Sequence, residues 1–219
     1  MAESAASGVT TGRTTRGVAT RRQLVDAAIG TLKDHGYAGA SARVIADRAG
    51  VNQGLIFYHF GSVTGLLLAA LDQVSALRRE RYGAAVDAAH SPSELVEVAS
   101  SIFREDLDAG YVAVLVAMIA GAATTPGLGE AVAERITPWT GFARDAVAGL
   151  LADSPLASLV PVEPLGFAVV ALYLGMEMLT QLDGDRAPAT DLFDQILRFA
   201  ALFGVPGGVA AIPPVGAES

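Results

Sequence analysis

Apolar residues recur every three or four positions along most of the chain, and the alternation typical of strands is nearly absent. In the segment from about Arg16 to Asp34, four of them form one stripe: Leu24, Ala27, Ala28 and Leu32. Two short helices and a series of longer ones follow, bounded by Gly, Pro or capping residues. The pattern predicts an all-α fold of nine to ten helices.

The boundaries of these helices follow from their punctuation. Ser41 is placed to cap a second helix over 42–49, and Ser62 to cap a long fourth helix that ends near Ala88. The run Ser-Pro-Ser-Glu at 91–94 is a strong start signal for a fifth helix, which ends near Gly110. The later predicted segments are 111–124, 126–153 with a bend or break at Pro138, 165–182 and 190–203.

The helices fall into a small head and a large body. Residues 1–15 are poor in hydrophobic side chains and are expected to form a disordered arm. Residues 16–61 hold three short helices, and 62–204 hold long apolar ones. Residues 205–219 are rich in Pro and Gly and are expected to be a flexible tail.

Composition excludes several kinds of chemistry. There is no cysteine and there are only three scattered histidines, so we expect neither a metal site nor a thiolate nucleophile, and no cofactor. The N-terminus has no apolar stretch of the signal-peptide type. The apolar run at 111–123 is well short of the roughly 20 residues that cross a bilayer. We therefore expect a cytoplasmic protein without a membrane partner.

Charge is distributed unevenly along the chain. Residues 1–66 hold seven basic and four acidic residues, and the remainder holds eight basic and nineteen acidic residues. The first part therefore has a net charge of +3 and the second −11. This asymmetry favours a head that faces nucleic acid. Composition alone leaves open a charged tail followed by ordinary solvated helices.

The stretch AGVNQGLIFYHFGS at 49–62 has the size and punctuation of a helix-turn-helix, with a third helix from Asn52 or Gln53 to His59. Ile56 and Phe60 are four residues apart, so they share a face that packs inward, together with Val44, Ile45 and Val51. The residues then turned outward, which suit base edges and phosphates, are Gln53, Gly54, Leu55 and Tyr58.

The stretch ARVIADRAGVNQGLIFYHFGS, preceded by GYAGAS, resembles the DNA-binding head of the TetR (tetracycline repressor) family of bacterial transcriptional regulators. The resemblance covers about residues 20–67. It implies that Ser41 contacts phosphate, that Asn52 takes a capping position and that Gln53 reads bases. Tyr58 and His59 stand where backbone and base contacts are usual, although His59 could instead fill a core polar position. Arg43 is either a phosphate clamp or a solvated helix residue.

Two residues depart from the family pattern. Phe57 replaces a common Tyr, and Val63 replaces a common Lys, so one hydroxyl and one cation are missing. Each lost phosphate contact is expected to reduce affinity and to flatten its dependence on salt. We hypothesise that basic residues of the N-terminal arm compensate through the minor groove: Arg13, Arg16, Arg21 and Arg22.

The body has no motif of its own, and the resemblance implies a cavity there for a small, largely hydrophobic ligand. Aromatic and Met residues at helical spacing more often pack in a core than line a pocket, so core packing remains the alternative interpretation of these residues. Glu177 either meets a ligand or faces water, and we favour water. The candidate ligand-binding residues are Tyr82, Phe103, Tyr111, Met118, Trp139, Phe142, Tyr173, Met176 and Glu177.

The last two helices are apolar on two sides, which predicts a partner on each side. A four-helix contact between two subunits supplies that partner, and a completely internal core is the alternative. Taken with these apolar faces, the resemblance implies a homodimeric regulator, a repressor released from a palindromic DNA operator by its ligand. A DNA-binding protein whose body only dimerises or binds a protein partner is the competing interpretation. No grouping of nucleophile and base indicates an enzyme.

Overall fold

The computed structural model describes residues 7–152 and 160–203, and within them the fold is all-α, as predicted. The described residues form nine helices and no strand. Their bounds are α1 Ser7–Gly39, α2 Ala42–Ala49, α3 Gly54–Phe60, α4 Val63–Asp87, α5 Pro92–Ala109, α6 Tyr111–Ala122, α7 Leu128–Leu151, α8 Val162–Asp183 and α9 Ala187–Phe203.

The first helix is longer than predicted at both ends. It begins at Ser7 rather than near Arg16, inside the arm that we expected to be disordered. Extending a helix that is already nucleated costs less than starting one, so polar residues can join it. It continues past Asp34 to Gly39, with a break at Gly36, whose φ of 65° lies in the left-handed region. Residues 1–6 and the tail after Phe203 lie outside the described residues.

The expected caps occupy the starts of α4 and α5. The Ser62 hydroxyl accepts a hydrogen bond from the Gly65 amide at 2.9 Å. The Ser91 hydroxyl accepts from the Glu94 amide at 3.2 Å, while the Glu94 carboxylate accepts from the His90 amide at 2.7 Å. The segment predicted to bend or break at Pro138 is a single helix, α7.

The chain divides into two compact units. Unit 1 comprises Met1–Arg81 and Ala109–Thr140, and unit 2 comprises Tyr82–Asp108 and Gly141–Ser219. The divisions fall within α4 and α7, so the three head helices share a unit with most of α4, with α6 and with the first half of α7. The predicted boundary between head and body, between residues 61 and 62, concerns which segment folds independently, and it stays a prediction.

The core of unit 1 is built on α1. Leu24, Ala28 and Leu32 are buried, and Ile45 of α2 and Ile56 of α3 are fully buried as well. Two expectations are wrong. Val44 of α2, expected to pack inward, is 38% exposed. Leu77 of α4, expected to face inward because it follows Val74 at helical spacing, is 45% exposed. Each lies at the edge of its helix's apolar stripe, where only part of the side chain is covered.

α1 also packs against α6. The Lys33 ammonium donates to the carbonyl of Ala109 at 2.7 Å and lies 5.0 Å from the centre of the Tyr111 ring. Burial lowers the pKa of Lys33, and the neighbouring Asp34 carboxylate acts in the opposite direction. The end of α1 is thereby attached to the beginning of α6.

The core of unit 2 is aromatic. The Phe103 ring lies edge-on to Tyr173, with centroids 5.7 Å apart, and 5.4 Å from the Phe193 ring. Met176 and Ala189 complete the buried cluster. Aromatic pairs in this arrangement contribute beyond the area they bury.

Two carboxylates are fully buried in unit 2. Asp106 accepts hydrogen bonds from the hydroxyls of Tyr82 at 2.9 Å and Tyr173 at 2.5 Å. Glu177, which we expected to face water, has no exposed surface. It lies one turn after Tyr173 on the inner face of α8, between the buried Met176 and Thr180. Met176 and Met178 flank Glu177 in the sequence and do not indicate which side of α8 faces the core.

Candidate nucleic-acid interface

The turn between α2 and α3 is fixed by backbone geometry. The Ser41 hydroxyl accepts from the Val44 amide at 3.3 Å and caps α2. Gly50 ends α2 in the left-handed conformation, φ 67° and ψ 31°, which a residue with a β-carbon adopts at a cost. The Val51 amide then donates to the carbonyl of Ala46 at 3.1 Å. These bonds set the angle at which α3 leaves the turn.

Asn52 lies one residue before the N-cap position of α3, which Gln53 occupies. The Asn52 side-chain oxygen accepts a hydrogen bond from the Gly54 amide at 2.7 Å. Gln53 is exposed and makes no capping hydrogen bond of its own. Its amide group therefore has donors and an acceptor that are not used in capping α3.

The two sides of α3 differ sharply in burial. Ile56 faces the core with no exposed surface, whereas Tyr58 is 80% exposed and Phe57 52% exposed. Leu55 and His59 are half-buried. The exposed residues of α3 and of the turn before it form one surface: Asn52, Gln53, Gly54, Phe57 and Tyr58. Ser41 and Arg43 are exposed at the start of α2. That these side chains touch DNA stays a prediction.

The aromatic side chains of α3 form a row. The rings of Tyr58 and His59 meet edge to face with centroids 4.9 Å apart, and those of His59 and Phe60 are 6.3 Å apart. The guanidinium of Arg21, in α1, lies 5.0 Å from the centre of the half-buried Phe60 ring. The His59 ring thus lies between the exposed ring of Tyr58 and the half-buried ring of Phe60.

Most other arginines of the head are paired with carboxylates. Arg43 lies 3.8 Å from Asp47 and Arg22 lies 3.7 Å from Asp26, each one helical turn away. These exposed pairs leave the guanidinium groups largely solvated, so either arginine can exchange its partner for a phosphate.

Arg48 is held more specifically. It donates to the Asp34 carboxylate at 2.6 Å, and this bond lowers the pKa of Asp34. The guanidinium crosses α1 at Gly30, where a β-carbon would meet the nearest nitrogen at 2.3 Å. Sequence reasoning missed this contact, because a glycine in the middle of a helix and an arginine 18 positions later give no joint signal.

The comparison with known families decides what this head is. The family described as "Bacterial regulatory proteins, tetR family" matches residues 24–70, which run from the first buried Leu of α1 into α4. The head of this chain is a TetR-family DNA-binding head.

Curated HTH-type transcriptional regulators match part of the chain. The HTH-type transcriptional regulator BetI 1 of Chromohalobacter salexigens is 46% identical over 54 residues, which is 25% of this chain and 27% of that protein. The chain spans 27%, 32% and 37% of the length of the first three such relatives. These relatives are named as regulators, and the family is one of DNA-binding, non-enzymatic proteins.

Solved TetR-family structures share the whole fold. A regulator from Cytophaga hutchinsonii superposes with a TM-score of 0.72 at 20% identity, covering 85% of this chain and 95% of the other. FadR from Bacillus subtilis, solved with stearoyl-CoA, gives 0.70 at 14% identity, covering 84% and 99%. At these identities the likeness establishes the fold alone.

The candidate ligand-binding residues are divided between the two units. Tyr111, Met118 and Trp139 lie in unit 1, and the rest lie in unit 2: Tyr82, Phe103, Phe142, Tyr173, Met176 and Glu177. The Trp139 ring packs against the guanidinium of Arg78, 4.7 Å from the ring centre. An open depression of about 400 Å³ at the α6–α7 turn is lined by residues 122–127, 129 and 130, and by none of the candidates. Their role in binding a ligand stays a prediction.

Proposed function

We propose that this TetR-family protein is a repressor that binds a palindromic operator as a homodimer and is released by a small-molecule ligand. The observation that carries the DNA-binding part is the exposed polar edge of α3. Gln53 and Tyr58 project from a helix whose other side, at Ile56, is fully buried. A short helix held in this way fits the major groove.

In a dimer, two copies of α3 would enter successive major grooves about 34 Å apart on one side of the duplex. Gln53 would read a base edge, and Tyr58 and Ser41 would contact the backbone. The direct test is selection of bound fragments from a random DNA library by the purified protein. We expect an enriched palindrome with affinity that falls as salt rises. Enrichment of no sequence, together with no retention of DNA at low salt, would contradict the proposal.

The proposed dimer contact lies on α8 and α9. Large apolar side chains are exposed on α8, and one is exposed on α9: Phe167, Leu172, Leu179, Leu182 and Phe199, exposed by 68%, 46%, 65%, 82% and 64%. Exposed apolar area of this kind is typical of protein interfaces. By length and composition α8 would also pass as a membrane span. Its inner face carries the buried Glu177 carboxylate, which favours a protein partner on the outer face and a cytoplasmic location.

The proposed ligand is small and largely hydrophobic. The solved complex of FadR with stearoyl-CoA supports the capacity of this fold to hold such a molecule. The interior of unit 2 adds two polar features that a ligand would meet, the Asp106 carboxylate with its two tyrosines and the Glu177 carboxylate. Binding would favour a conformation in which the two heads no longer match the operator spacing, with α4 as the connecting lever. A coupling of about 1–3 kcal/mol is enough to shift occupancy several-fold or more.

The second candidate is a DNA-binding dimer whose body takes no ligand and only dimerises or binds a protein. Thermal-shift screening of hydrophobic and amphiphilic compounds separates the two. A ligand at 100 times its Kd stabilises the folded state by about 2.7 kcal/mol, which raises Tm measurably. The repressor proposal further requires that the same compound reduce operator binding.

A further inference from the structure

The recognition surface has a shortage of positive charge. Residues 49–77, which cover the turn, all of α3 and the first half of α4, contain no Lys or Arg. A DNA-binding surface normally neutralises several phosphates, and each neutralised phosphate contributes to affinity and to its salt dependence. The cation for this part of the surface therefore has to come from another element.

Arg21 of α1 is in a position to supply it. Its side chain is exposed, and its guanidinium lies over the Phe60 ring, 5.0 Å from the centroid, at the C-terminal end of α3. Within the part of the chain that the structure describes, no carboxylate lies within ion-pair distance of Arg21. Its neighbours Arg22, Arg43 and Arg48 each have one.

Stacking on Phe60 suits a phosphate contact. A guanidinium can stack through its flat face on an aromatic ring, and in that arrangement the N–H groups along its edge remain available. Those N–H groups donate in a fork that matches two oxygens of one phosphate. The ring thus fixes the position of the guanidinium beside α3 and leaves its donors free.

We propose that Arg21 is a DNA-phosphate contact positioned by Phe60, and that it supplies the cation that the junction of α3 and α4 lacks. The inference rests on the proposed DNA binding and adds a residue to that interface. Val63, the first residue of α4, lies three positions after Phe60 and is half-buried and apolar. A cation introduced at Val63 should therefore reach the same part of the DNA backbone.

The experiment measures affinity for the selected palindrome as a function of salt, for the wild type and Arg21→Gln. Two contacts are lost in the dimer, so the slope of log K against log[salt] should fall by about 1.8. Affinity in low salt should fall at least tenfold, equally for all sequences. Arg104→Gln removes the same charge from an exposed arginine of α5, in unit 2, and is the matched control, with no expected change in slope.

Two further variants test the geometry. Arg21→Lys keeps the charge and loses the planar stack, so it should recover only part of the affinity. Adding Val63→Lys to Arg21→Gln should restore the slope of log K against log[salt]. A double variant that binds DNA as weakly as Arg21→Gln alone would contradict the placement of the Arg21 contact at the junction of α3 and α4. A slope for Arg21→Gln equal to that of the wild type, or equal losses for Arg21→Gln and Arg104→Gln, would overturn the proposal while leaving operator binding by the wild type intact.

Discussion

The ring of Tyr37 lies directly against the backbone of Gly121, so closely that a β-carbon on Gly121 would come within 2.3 Å of it. The Tyr37 hydroxyl also shares a hydrogen bond with the Thr125 hydroxyl at 2.9 Å. The last turn of α1 is thereby joined to the end of α6, as Lys33 joins an earlier turn to the beginning of α6. Gly121 allows the helices to approach this closely because it has no side chain.

Gly121→Ala should therefore destabilise unit 1. The added methyl group forces the Tyr37 ring to move, and overpacking of this kind costs about 1–3 kcal/mol. Gly83→Ala is the control, because a β-carbon there meets nothing within 4 Å and only the gain in helix propensity remains. Urea unfolding of both variants measures the difference in the free energy of unfolding. Equal stabilities would show that Tyr37 moves aside without cost.

A second prediction concerns Gly30, where an added β-carbon would meet the flexible end of the Arg48 side chain. Gly30→Ala should displace the guanidinium from Asp34 and remove an exposed ion pair that contributes about 0–1 kcal/mol. The gain in helix propensity of up to about 1 kcal/mol offsets this loss. We expect a near-neutral change in the free energy of unfolding, in contrast to Gly121→Ala. A loss of several kcal/mol would mean that Arg48 cannot be displaced.

The same ion pair gives a pH dependence. Arg48 lowers the pKa of Asp34, so the folded state binds its proton less readily than the unfolded state does. The stabilisation is present above the ordinary carboxylate pKa of about 3.9 and is lost as the pH falls through the lowered folded value. Asp34→Asn should therefore be slightly less stable than the wild type at pH 7 and equal to it in strong acid. A stability difference that does not shrink as the pH falls below the ordinary carboxylate range would contradict the assignment.

Asp106 provides a fourth prediction. Both of its oxygens accept hydrogen bonds from tyrosine hydroxyls in the interior of unit 2. Asp106→Asn replaces one acceptor by a donor and sets it against a hydroxyl, which costs about 1–3 kcal/mol. Tyr82→Phe and Tyr173→Phe should each cost about 1 kcal/mol, and their effects should be non-additive because they share one carboxylate. Additive effects in a double-mutant cycle would show that the two hydrogen bonds act independently.

The dimer contact can be tested by charge. Leu179→Asp places a carboxylate in the middle of the exposed apolar face of α8, where a covering subunit would have to bury it. We expect a monomer by light scattering at concentrations at which the wild type is a dimer. Val18→Asp changes an apolar residue of α1 that is 66% exposed, and it should leave the dimer intact. A dimer that survives Leu179→Asp would place the contact elsewhere.

The head was predictable from sequence because its signals are local. Ser41, Gly50 and the spacing of Ile56 and Phe60 determine the limits of two short helices, and α2 has the predicted bounds. The burial of Glu177 depends on which side of α8 faces the core of unit 2. The neighbouring methionines could not predict that side, because they flank Glu177 on both sides in the sequence. The contacts of Tyr37 with Gly121 and of Arg48 at Gly30 join distant positions, and a single sequence contains no signal for such pairs.

The central claim is that the exposed edge of α3 reads bases through Gln53. The most direct measurement is the affinity of the wild type and Gln53→Ala for every single-base variant of the selected operator. We predict that Gln53→Ala loses about 1–3 kcal/mol of discrimination at one symmetry-related pair of positions and keeps the wild-type pattern elsewhere. A variant that discriminates among all bases as the wild type does would contradict the claim.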